Sequence, residues 1–199
     1  MKRFAPMCTA LLLASACTLP VSALSHTVTK GDTMWKIASK YQVGTSEVIA
    51  ANPQITNPNL IYPGQVLDIP QENSSVIAFE NEVIRLVNEV RAKYGLQALT
   101  ANWELSRVAR YKSQDMADNR YFSHTSPTYG SPFQMIKNFG LSYRTVGENI
   151  AYGQRTPQAV VSAWMNSSGH RANILNSSYT QIGVGYVANG HYWTQMFIG

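Results

Sequence analysis

The chain is short of cysteine: of 199 residues only Cys8 and Cys17 carry a thiol, and both fall within the first two dozen positions. That stretch, residues 1–23, reads as a secretory signal. Lys2 and Arg3 give a positive start, Phe4 to Ala16 is mostly apolar, and "VSA" at 21–23 offers the small residues a signal peptidase cuts after. Two other readings are open. One is a retained anchor, which Pro6 and the shortness of the apolar run disfavour. The other is lipidation at Cys17, where the residue three places earlier is Ala14 instead of a larger aliphatic. Cleavage after Ala23 removes both cysteines and so excludes disulfides, thiolate metal sites and a cysteine nucleophile from the mature chain. A cysteine-free secreted domain is held by its apolar core alone, which suits a domain of more than a hundred residues.

Charge is also sparse, at 14% of residues, and the formal net charge of +5 includes Lys2 and Arg3. The mature side chains carry 14 basic and 11 acidic groups, net +3. No basic cluster with interleaved aromatics occurs, so no nucleic-acid partner is expected, while a mild positive excess fits a surface working near anionic wall polymers. After the signal no apolar run is long enough for a stable membrane anchor. What is present is a 45% hydrophobic content, the balance of a folded protein.

Two modules are expected, joined by a polar linker over residues 71–78. Over 26–70, "HTVT" alternates as a short strand and "KGD" is a turn with Asp32 or Thr33 as a helix cap. Met34, Ile37, Ala38 and Tyr41 share a helical face; a second helix, capped by Thr45 or Ser46, runs to Pro53, and "IYPGQVLDIP" closes with a turn and a strand. This β-α-α-β order, with its GDT, NP and PGQ segments, resembles a LysM domain along its whole length. The resemblance implies binding of N-acetylglucosamine polymers, peptidoglycan or a chitin-like glycan, in a groove lined by Gly31, Asp32, Thr33 and Met34 from one loop and Asn52, Pro53, Gln54 and Ile55 from another. Backbone amides beside an apolar face suit a neutral acetamido sugar.

Residues 79–199 begin with helix-spaced apolar positions from Phe79 to Tyr94. Further helices are expected at 102–118, near 132–139 and after Thr156-Pro157, and two alternating segments joined by Ala-Asn-Gly form a closing hairpin. Helices first and a hairpin last argue for an α+β layered domain. The segments "VNEVRAKYGLQAL", "FSHTSP", "GENIAYG", "AWMNSSGHRANIL" and "IGVGY" resemble the CAP, or SCP, superfamily in its disulfide-free bacterial form. The resemblance implies an α-β-α sandwich with a cleft in which two histidines and two glutamates often surround a divalent metal. Carried onto this chain these are His124, Glu148 and His170, with Ser167 nearest the place of the second glutamate.

His124, His170 and Glu148 are therefore candidate ligands of zinc or another divalent metal with water in an open position, although the missing carboxylate leaves no evident base for that water. A Ser-His-Glu arrangement using Ser123, Ser167 or Ser168 is the weaker chemistry, since nothing resembles a nucleophile elbow. Asn149 and Arg171 suit backbone or surface pairing, and Tyr152, Trp164 and Trp193 suit the core. The expectation is a secreted, wall-associated bacterial monomer. Its cleft is a non-catalytic receptor site, a metal-dependent hydrolase of wall peptides or secreted proteins, or a vestige in a spore-coat or envelope assembly protein. The tail "HYWTQMF" imitates a cleft histidine of that superfamily, but "IGVG" precedes it; His191 is expected to be exposed at the hairpin start, with Trp193, Gln195 and Phe197 on one face of the last strand and Tyr192, Thr194 and Met196 on the other.

Overall fold

The computed structural model describes residues 24–199, so the signal-like segment and both cysteines lie outside the described residues. Strand β1 (Leu24–Thr27) pairs antiparallel with β2 (Val66–Ile69), and helices α1 (Met34–Tyr41) and α2 (Thr45–Ala51) lie between them in sequence. Met34, Ile37, Ala38, Val48, Leu67 and Ile69 bury into one small core. Thr33 caps α1 by accepting from the Lys36 amide. The cap of α2 is Gly44 instead of Thr45 or Ser46, and it offers no side-chain hydrogen bond.

The expected linker is largely absorbed into helix. α3 runs Ser74–Lys93, because Asn73 accepts from the Ser75 amide and hydroxyl and starts the helix five residues before the apolar stripe. Arg91 near its end is 1% exposed. Its guanidinium donates to the carbonyls of Gln97, Ile174 and Asn176 and fastens α3 to a segment more than eighty residues away.

Four strands form the larger sheet in the order β3-β5-β6-β4: β3 (Thr100–Ala101), β5 (Gln181–Val187), β6 (Tyr192–Ile198) and β4 (Val146–Tyr152). Only the β3–β5 pairing is parallel. α4 (Trp103–Asp118) and α5 (Pro132–Asn138) border a core with Met196 and Ile198 of β6. The opposite core combines residues of α3 and α6 (Pro157–Met165), and Ile174 of α7 (Ser168–Ile174), with Trp193 and Phe197. Alternation along β6 thus sends neighbouring residues into separate cores and yields the three-layer α-β-α sandwich.

Two glycines of β5 set how closely α4 lies on the sheet. A Cβ at Gly183 would sit 2.3 Å from the Leu105 carbonyl carbon, and one at Gly185 2.1 Å from the Arg110 amide nitrogen. Helix backbone therefore rests directly on strand backbone.

Candidate functional site

The first loop of the small module is clasped from inside. Asp32 Oδ2 accepts from the Thr29 amide at 2.7 Å, the Thr29 hydroxyl at 2.9 Å and His26 Nε2 at 3.0 Å. The His26 bond, followed by those from Thr29, draws the Asp32 carboxyl down to about 2. For a carboxyl with a lowered folded pKa, the contribution is present above the unfolded value and lost as pH falls through the folded one. Following the Thr29 amide shift by NMR, the turn is expected to open with a midpoint near 2; an opening near the ordinary value of 3.8 would contradict the clasp.

The second loop is fixed by Asn52, which is fully buried. Its amide donates to the carbonyls of Val48 and Asp68 and accepts from the Asp68 amide, tying the end of α2 to β2. Asn52 and the buried Met34 therefore face the core and do not line a groove, a correction forced by their packing. Gly31, Thr33, Pro53 and Gln54 are exposed, Asp32 half-buried in its clasp, and Ile55 half-buried against the core that holds Met34.

In the larger module the free edge of the sheet is β4, where both helical layers meet. Glu148 faces the α4 side and Asn149 the other, as their pairing with Met196 and Gln195 requires. Glu148 has a side chain 2% exposed and His124 one 54% exposed; His124 Nδ1 donates to Glu148 Oε1 at 2.7 Å. The second oxygen, Oε2, is buried without a hydrogen-bond partner among the described residues. Burial pushes the Glu148 carboxyl up, against the pull of the His124 bond and the Lys112 and His124 charges.

His170 lies on α7, across the edge. Asn149 Nδ2 donates to its carbonyl and to Gln195 Oε1, while Asn173 Nδ2 donates to Asn149 Oδ1 and to the Glu148 carbonyl. Burial lowers the His170 pKa, and repulsion from His124 lowers it further. The edge carbonyls of Val146, Glu148 and Ile150 accept from Tyr179 hydroxyl, Asn173 Nδ2 and Trp164 Nε1 in turn.

Sequence reasoning missed what lies under the His124 loop. Lys112, 1% exposed, donates through Nζ to the Tyr121 hydroxyl at 3.0 Å. Asp115 accepts from Tyr121, Ser126, Thr128 and Asn119. The Asp115 carboxyl is pushed up by burial, but these four bonds outweigh it and hold it below the usual range. Helix spacing could have placed Lys112 and Asp115 on the inward face beside Val108 and Ala109, but nothing local marks their partners.

Among the described residues no group of three His, Cys, Asp or Glu side chains is placed to hold a metal ion. The donor set as arranged does not fit the three-ligand zinc site, and Ser167, at the cap of α7, supplies no carboxylate. No serine hydroxyl hydrogen-bonds to His124 or His170 among the described residues, which leaves Ser123, Ser167 and Ser168 outside any relay. Trp164 and Trp193 are core residues, but Tyr152 is 54% exposed, correcting the core expectation for it. Its ring lies 4.7 Å from that of Tyr192 and 6.3 Å from that of Phe122. Arg171 donates to the Tyr94 hydroxyl, a surface pairing. His191 is half-buried, not exposed: at φ +55° it turns back to hydrogen-bond the Tyr186 hydroxyl at 2.7 Å.

The family profile "Cysteine-rich secretory protein family" (CAP) matches residues 84–197, and that of the LysM domain matches 26–70. The protein YkwD of Bacillus subtilis is 62% identical over 126 residues, 63% of this chain and 49% of YkwD, so the chain spans about half the length of that relative. A secreted LysM effector of Passalora fulva is 41% identical over 54 residues, 27% of this chain and 23% of the effector. Among solved structures, an extracellular SCP-domain protein from Bacillus anthracis superposes with a TM-score of 0.59 at 34% identity, over 68% of this chain and 47% of that one.

Proposed function

Because the chain belongs to the CAP family and carries a LysM domain ahead of its CAP domain, we propose that it is an extracellular, wall-associated protein. It holds N-acetylglucosamine-containing glycan, peptidoglycan above all, through residues 26–70, and presents the His124–Glu148 cleft next to that tether. The observation that carries the tether is the pair of internally clasped loops. Asp32 and Asn52 use their polar atoms inward, so Gly31, Thr33, Pro53 and Gln54 stand rigid at the surface without paying to become ordered on binding. The extracellular setting is supported by the similarity to an extracellular protein of Bacillus anthracis and a secreted effector of Passalora fulva. Among the described residues no helix is long and apolar enough to cross a membrane.

The cleft is a ligand-holding site. Glu148 fixes one ring nitrogen of His124 and leaves the exposed side of the imidazole free to accept or donate one hydrogen bond, and the unpartnered Oε2 calls for a donor. A half-exposed imidazole oriented by a buried carboxylate is a polar handle for a ligand, and this supports the receptor reading of the cleft. The tether is tested by retention of the full chain on purified peptidoglycan. Replacing Pro53 and Gln54 together by glutamate is expected to weaken retention by about tenfold or more, the equivalent of about 1.4 kcal/mol, with an unchanged melting temperature. Retention equal to the wild type would overturn the assignment.

A further inference from the structure

The LysM and CAP domains are separated only by the short stretch between Pro70 and Ser74, and they touch. Arg107, on the outer side of α4, reaches the start of α2. Its Nε donates to Glu47 Oε1 at 2.6 Å, and its Nη2 donates to Glu47 Oε2 and Ser46 Oγ, both at 3.0 Å. The Tyr111 hydroxyl, one turn on, donates to Glu47 Oε1 at 2.7 Å. The guanidinium also lies over the rings of Tyr111 and Phe139, 5.4 and 5.1 Å from their centroids.

The two charged side chains are 18% and 25% exposed, and a lone ion pair of that kind contributes only about 0–1 kcal/mol. The fork geometry, the phenol and the stacked rings add to it. Burial pushes the Glu47 carboxyl up, but the bonds from Arg107 and Tyr111 outweigh it and keep it below the usual range.

Gly44 is the independent observation. It is buried, and its φ of −75° and ψ of 147° are open to any residue, so backbone conformation does not call for glycine. As the cap of α2 it occupies a position where serine, threonine, asparagine or aspartate would add a hydrogen bond that this helix lacks. A Cβ there would lie 2.3 Å from Arg107 Cζ and Nε and 1.8 Å from Glu47 Oε2, the oxygen that Arg107 holds in place. The space a side chain would need is taken by the Glu47–Arg107 pair, one partner from each domain.

We propose that the LysM and CAP domains form one rigid body in solution, with the α4 surface around Arg107 and Tyr111 serving as the docking site for the chain's own LysM domain and Gly44 as the residue that admits it. The cleft of about 660 Å³ between the domains, walled by Tyr41 and Val43 on one side and Trp103 and Arg110 on the other, then keeps a fixed shape. A glycan held by residues 26–70 meets the His124–Glu148 cleft at a single distance and bearing.

Residual dipolar couplings and ¹⁵N relaxation of the full chain test this without any ligand, and so independently of the glycan reading. One alignment tensor and one rotational correlation time are expected to describe both domains. Gly44→Ala, which crowds only the movable tips of Glu47 and Arg107, is expected to loosen the contact without abolishing it, whereas Arg107→Glu is expected to abolish the shared tensor while both domains keep their own dispersed spectra. Glu47→Lys combined with Arg107→Glu is expected to restore it. Separate tensors in the wild type, or a shared tensor that survives Arg107→Glu, would overturn the proposal.

Discussion

Gly185→Ala is expected to cost at least about 3 kcal/mol, at or beyond the upper end of ordinary overpacking. Neither Gly183 nor Gly185 has a positive φ, so the cost does not come from backbone conformation. It comes from the three nearest atoms, which are main-chain atoms of Ala109 and Arg110 at 2.1 to 2.5 Å from the added carbon. A crowded side chain rotates away, but α4 can yield only by lifting off β5 and β6 and opening the core that holds Leu105, Val108 and Met196. At about 2–4 °C per kcal/mol for a chain of this size, thermal unfolding should fall by roughly 6–12 °C. Gly183→Ala meets Leu105 and Ser106 main chain in the same way and should behave alike. By contrast Gly169→Ala, with open space around its Cβ and no left-handed φ, should leave the transition where it is. A melting temperature for Gly185→Ala within a degree or so of the wild type would refute the direct contact of helix and strand.

The second large effect belongs to Glu80 on α3, 2% exposed and reached by two donors from different elements. Arg110 on α4 presents Nε to both carboxylate oxygens at 2.9 and 3.0 Å and Nη2 to Oε2 at 2.6 Å, and the Tyr186 amide on β5 donates to Oε1 at 3.1 Å. One carboxylate therefore joins helices from opposite faces of the sheet around the end of β5. Glu80→Ala strands a guanidinium that is only 22% exposed and a buried amide, and is expected to cost about 3–5 kcal/mol, the range for breaking one side of a buried pair. Glu80→Gln keeps an acceptor for Tyr186 and should cost about 1 kcal/mol.

Burial pushes the Glu80 carboxyl up to about 7, against the pull of Arg110, which stays cationic throughout. A carboxyl raised on folding stabilises below its unfolded value and loses that contribution as pH rises through its folded one. The advantage of the wild type over Glu80→Gln, measured by urea unfolding, should therefore shrink between pH 4.5 and about 7. An advantage that grows with pH over that interval would contradict the assignment.

The two modules could be read from the chain because their markers are local. Thr33 capping α1, the Gly64 and Gly190 turns and the apolar stripe from Val83 to Val90 each follow from a few neighbouring residues. The candidate site was legible only in part. His124 and Glu148, 24 residues apart, are joined by a hydrogen bond, whereas Asn52 is drawn into the core by Asp68, 16 residues on, as well as by Val48, and Met34 by packing that no window of sequence contains. His191 and Tyr152 exchange their expected exposures because a left-handed turn at Gly190 and His191 folds the imidazole onto Tyr186 and leaves Tyr152 at the rim. The Lys112, Asp115 and Tyr121 network and the buried Arg91 are built from long-range closures between helices and loops. "IGVGY" is visible as a pattern, but the reason for its glycines is a helix some 75 residues earlier.

The outer carbonyls of β4 have a consequence for the chain among its own kind. A terminal strand with open acceptors is a template on which another polypeptide can add itself, and repeated addition makes fibres. Here Tyr179, Asn173 and Trp164 occupy three successive outward acceptors of that strand, and the strand at the opposite end, β3, is two residues long. A sheet closed in this way at both ends offers neighbouring copies of the chain neither growth point for self-propagating β-structure.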